Sequence, residues 1–94
     1  MPYIVNESRT HLDLAINELD SELRALGYNE GDLNYVVSKL MKSQWKSRSN
    51  YATINRLIGV LECAKLELYR RVAAPYEDTK IAENGDVFDR KEVM

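Results

Sequence analysis

The chain has 94 residues, 45% of them hydrophobic and 30% charged, with a net charge of −2. That length makes one modest domain, near the lower end of what folds alone, so self-association is a natural way to bury more surface. No run of about 18 apolar residues occurs, which excludes a membrane-spanning helix. The single cysteine, Cys63, excludes an intrachain disulfide and fits a reducing compartment.

The opening MPYIVNESRTHLDL has neither the basic nor the long apolar segment of a secretory signal, so a cytoplasmic location is expected. Met1 to Val5 reads as an extended apolar lead-in. Asn6 or Ser8 can cap a first helix over about 7–26. Its apolar residues Leu12, Ala15, Ile16, Leu19, Leu23 and Leu26 recur at three and four residues and share one face. Gly27 is the expected stop, because the left-handed conformation costs glycine little. Asn29 or Asp32 can cap a second helix over about 32–46, with Leu33, Val36, Val37, Leu40, Met41 and Gln44 inward. Its other side carries Tyr35, Lys39, Lys42 and Lys46 as one exposed stripe, with Trp45 at the margin.

Asn50 is a good N-cap for a third helix over about 50–74. Pro75 is expected to end it, because a proline disfavours helical geometry in the residue before it. Pro75 can also open a short fourth helix, Tyr76 to Glu83. Asn84-Gly85 is a turn signal, and Asp86–Met94 is expected to fray. The predicted fold is all-α: a three-helix, bundle-like single domain built on a long central third helix, with a short C-terminal helix or ordered tail over 75–94.

The third helix has two apolar sides. Ile54, Leu57, Ile58, Leu61, Ala64, Leu68 and Val72 face the other helices. Ala52, Gly59, Cys63 and Leu66 form a second, small-residue line. Glycine inside a helix costs about 0.5–1 kcal/mol relative to alanine, so Gly59 points to close approach of another helix. A homo-oligomer through Ala52, Gly59, Cys63 and Leu66 is expected. The alternative is that the tail folds back, with Val87 or Phe88 against Leu66.

Charge is unevenly spread. Residues 1–32 hold seven acids and two bases. Residues 33–61 hold no acid and five bases, Lys39, Lys42, Lys46, Arg48 and Arg56. This block reads either as an anion-facing surface or as the complement of the acidic first helix. The pI of about 5.4 argues against nucleic acid as a partner. A small anionic ligand needs fewer charges.

Candidate chemistry is sparse. His11 and Cys63 lie on different helices without metal-ligand spacing, so no metal and no cofactor is expected. Cys63 lies mid-helix and reads as a packed thiol. Glu62 and Glu67 lack the set of converging acids that a metal-dependent nucleotide hydrolase needs, so hydrolysis is the weakest of the functional readings. No phosphate-binding glycine loop occurs. The segment from Tyr69 to Asp86 is rich in residues that recognise planar, anionic molecules. Arg70, Arg71 and Lys80 suit phosphate, Tyr69 and Tyr76 suit stacking, and Asn84 and Asp86 suit base edges or ribose hydroxyls. The plain alternative is a helix end, a proline turn and a solvated tail.

Three stretches, MPYI, DLNYVVSKL and LIGVLECAKLELYRRVAAPYEDTKIAENGDV, resemble a family of small uncharacterised proteins of phages, prophages and bacteria. The resemblance covers most of the chain and brings no catalytic residues. It implies a setting in which small helical oligomers sequester nucleotide-derived immune signals, or bind and block a host protein. The expected function is therefore a non-enzymatic sponge for a small anionic, nucleotide-like ligand. The alternative is an inhibitor or adaptor that acts by contact with a host protein.

Overall fold

The computed structural model describes residues 2–88. Met1 and the end of the expected tail, 89–94, lie outside the described residues. The elements are α1 (Asn6–Ala25), α2 (Glu30–Ser47), α3 (Tyr51–Leu68), a π-helical turn (Tyr69–Ala73) and α4 (Ala74–Asn84). The protein is all-α, with no strand among the described residues. None of these helices is long and apolar enough to cross a membrane. The chain divides into two compact units, Met1–Val60 and Leu61–Met94.

In the first unit α1 begins behind Val5, which makes no side-chain cap bond. The expected cap from Asn6 or Ser8 is absent because both residues already lie inside the helix. The lead-in is instead tied down by Arg9, whose Nε donates to the Ile4 carbonyl at 2.7 Å. At the other end Gly27 takes a φ of +94°. The Gly27 and Tyr28 amides fold back onto the Arg24 and Leu23 carbonyls at 3.0 and 2.9 Å. Tyr28 also adopts a left-handed φ, 55°, which is costly for a non-glycine residue. Its phenol offsets that cost. The hydroxyl donates to the Asp20 carboxylate at 3.0 Å and accepts from Arg24 Nε at 3.1 Å. Arg24 also pairs with Asp20 at 3.3 Å. The Tyr28 phenol first, and then the Asp20 carboxylate, raise the Arg24 guanidinium above its ordinary pKa.

α2 starts on a reciprocal cap. Asn29 Oδ1 accepts from the Asp32 amide at 2.8 Å, while Asn29 Nδ2 donates to the Asp32 carboxylate at 2.6 Å. Asn50 caps α3 in the same way, accepting from the Thr53 amide at 2.9 Å. Burial in this unit falls on both sides of the α2–α3 turn. Val36, Val37, Met41 and Trp45 are half-buried, and Thr53 and Leu57 are buried.

The expected packing of the first two helices around the third is not made among the described residues of this unit, where α1 and α2 stack neither on each other nor on the start of α3. Leu12 and Ile16 stay 51% and 55% exposed, and Leu33 and Leu40 also face solvent. The amphipathic periodicity is real. It makes a face, but it does not say which surface covers that face.

In the second unit Pro75 does not end the helix. The chain passes from α3 through the π-helical turn into α4, and Ala74 keeps helical dihedrals of −62° and −47°. A proline inside a regular α-helix leaves one carbonyl without its donor and crowds it. Here the Ala74 amide donates to the Tyr69 carbonyl, five residues back. The inserted residue of the π turn relieves the clash, and Pro75 sits in the first turn of α4. Gly85, with a φ of +92°, closes α4 by donating to the Ile81 carbonyl at 2.9 Å. Val87 and Phe88 do not dock on Leu66, since all three are exposed.

Candidate functional site

The seven C-terminal candidates all fall in the second unit, on the π turn, on α4 and just beyond it. Tyr69, Arg70 and Arg71 occupy consecutive positions of the π turn. Arg70 is committed to Glu67 through a 2.5 Å ion pair. Lys80 pairs with Glu83 at 3.2 Å, and its ammonium also lies 5.5 Å from the centre of the Tyr76 ring. Tyr76 and Lys80 are thus brought together. Tyr69, Arg71, Asn84 and Asp86 are exposed. The Asp86 carboxylate accepts from the Phe88 amide at 3.0 Å, as the residue that opens a turn does. Local carboxylates therefore answer two of the three cations in this set.

The cations of residues 33–61 differ. On α2, Lys39 lies 5.9 Å from the centre of the Tyr35 ring, and Lys42 and Lys46 are exposed beyond it. Among the described residues neither these three nor Arg48 and Arg56 form an ion pair; every pair lies before Leu26 or after Leu61. The absence of acids in this stretch has a direct electrostatic result: its positive charge is not cancelled locally.

Ala52, Gly59, Cys63 and Leu66 are exposed along α3. A Cβ placed on Gly59 would meet nothing within 4 Å, so no neighbour among the described residues requires the missing side chain there. No group of three or more His, Cys, Asp and Glu capable of holding a metal occurs among the described residues.

The α2–α3 turn holds a feature that the separate motifs do not suggest. Ser47, Arg48, Asn50, Ala52, Thr53 and Arg56 line a cleft of about 440 Å³. Two guanidinium groups and the N-terminal turn of an 18-residue helix share this cleft, and among the described residues no carboxylate stands in its wall. Arg48 and Arg56 are already visible in the sequence as part of the acid-free block. Thr53 is not, because nothing in the sequence marks it as 3% exposed. The usable signal is the Asn50 cap with arginines two residues before it and six after.

A family model described as a domain of unknown function, DUF6899, matches residues 1–87. The chain belongs to that family. No curated protein and no solved structure matches it.

Proposed function

We propose that the chain is a non-enzymatic binding protein that sequesters a small anionic, nucleotide-like ligand as an assembly of identical copies. In the setting that the sequence resemblance implies, it is a phage-type accessory protein acting against a nucleotide-derived defence signal in the cytoplasm. One observation carries this reading. The five cations of residues 33–61 have no acidic partner among the described residues, and Tyr35 and Trp45 stand among them. A surface of this kind attracts an anion, and a net charge of −2 with a pI of about 5.4 keeps the whole chain from being a general nucleic-acid binder.

Charge also supports the assembly. Residues 1–32 carry five more acids than bases, and residues 33–61 carry five more bases than acids. The acidic α1 of one copy complements the basic α2 of another, and the uncovered apolar residues Leu12, Ile16, Leu33 and Leu40 gain a partner in the same contact.

A thermal-denaturation screen against nucleotides and cyclic nucleotides tests the reading. A ligand at a hundred times its Kd stabilises by about 2.7 kcal/mol, a readily measured rise in Tm. No rise with any nucleotide would contradict it. The exposed apolar row on α1 supports a second reading, an inhibitor that lays this face on a host protein. Under that reading the screen is silent and substitution of Leu12 and Ile16 by Glu abolishes capture of the host partner.

A further inference from the structure

We infer that the cleft at the start of α3 seats a phosphate group, and that this seat, rather than the Tyr69–Asp86 segment, holds the anionic end of the ligand. The inference rests on the anion-binding reading above and gives it a place. The first amides of a helix point out of its N-terminus without intrahelical acceptors. In α3 the Asn50 side chain takes the Thr53 amide, and the Ile54 amide reaches the Asn50 carbonyl at 3.2 Å. The Tyr51 and Ala52 amides find no acceptor among the described residues. They are two donors at the positive end of an 18-residue helix dipole.

A second observation comes from Thr53. The residue is 3% exposed and lines the cleft. Its amide is satisfied, but its hydroxyl bonds to nothing among the described residues. It is not a sealed, unsatisfied group either, so the hydroxyl keeps some exposure to solvent. A nearly buried hydroxyl without a protein partner is the donor that a bound oxyanion would use.

The arginines complete the seat. Side chains on a helix lean toward its N-terminus, so Arg56 leans back toward Ala52 and Thr53, four and three residues before it. Arg48 approaches from the other side of the Asn50 cap, and both line the cleft. A guanidinium holds phosphate oxygens through two parallel hydrogen bonds. Two of them, the Ala52 amide and one hydroxyl suit a doubly charged tetrahedral oxyanion, such as a terminal phosphate or one half of a diphosphate. Among the described residues no carboxylate lines the cleft to oppose it.

Calorimetric titration of the full chain with pyrophosphate and with adenosine diphosphate tests the assignment. Arg48→Gln and Arg56→Gln should each weaken both ligands by about tenfold or more, since a hydrogen bond to a charged group is lost. Thr53→Val keeps the shape and removes the hydroxyl, and should weaken both by about fivefold with the melting temperature held. Lys65→Gln should bind as the parent does. Binding that survives Arg48→Gln, Arg56→Gln and Thr53→Val but is lost in Arg71→Gln overturns this site and leaves the anion-binding reading standing. A parent protein that binds neither ligand, nor any nucleotide in the thermal screen, overturns both.

Discussion

Replacing Gly59 separates a solvent-facing helix side from a helix–helix contact by the sign of the effect. A Cβ at this position meets nothing within 4 Å, so the described residues leave room for a larger side chain. Gly59 lies inside α3, which runs from Tyr51 to Leu68. There glycine is about 0.8–1.0 kcal/mol less favourable than alanine, and leucine is close to alanine. If this side faced water in the working protein, Gly59→Ala and Gly59→Leu would each stabilise the helix by roughly 0.8 kcal/mol. If another copy packs there, alanine is tolerated or mildly harmful. Leucine would hold the backbones apart and cost about 1–3 kcal/mol per contact, as overpacking does. The assay is sedimentation velocity across a range of protein concentrations, paired with thermal melts. The expected result for Gly59→Leu is a lower mass and a Tm that falls on dilution. An unchanged mass with a raised Tm would refute the contact and show that the glycine has no packing role.

Other expectations follow from local geometry. Asn29→Ala removes the cap that accepts from the Asp32 amide and should destabilise the fold by about 1 kcal/mol, measured by urea titration; no change would mean that the start of α2 is held by other contacts. Pro75→Ala restores an amide donor and removes the ring, so the Tyr69–Ala73 turn should relax to regular α-helix, visible in amide and Cα chemical shifts. A π turn that persists would show that proline is not its cause. Tyr28→Phe deletes the hydroxyl that bridges Asp20 and Arg24 and should cost about 0.5–1.5 kcal/mol in the same titration, with Tyr28→Gly recovering part of the loss by relieving the left-handed backbone. An equal loss in both would place the effect elsewhere.

The helices were legible in the sequence because their ends carry chemistry. Gly27, Asn29, Asn50 and Gly85 each perform a backbone task that few residues can, and each stands where a helix starts or stops. Pro75 misleads for a physical reason. The rule that proline ends a helix assumes regular α-geometry, and one extra residue in the turn before it removes the conflict. The covering of the apolar faces was not legible. Leu12 and Ile16 announce an amphipathic helix equally well whether the covering surface is the same chain or another. The candidate site divides the same way. The charge asymmetry of residues 33–61 is plain from composition. The self-neutralisation of Arg70 by Glu67 and of Lys80 by Glu83 follows from spacings of three residues that the sequence displays, yet only side-chain placement shows that those pairs form. The cleft depends on the burial of Thr53, which arises from packing around the α2–α3 turn and has no local signature.

Mass spectrometry of small molecules released by heating the protein, purified intact from the cells that produce it, reads out a sequestered ligand itself. The expected result is a phosphate-bearing, nucleotide-derived species in a fixed ratio to the chain, lost when Arg48 and Arg56 are replaced by glutamine. Assembled protein that releases no such species, and takes up none when nucleotides are supplied, would contradict it.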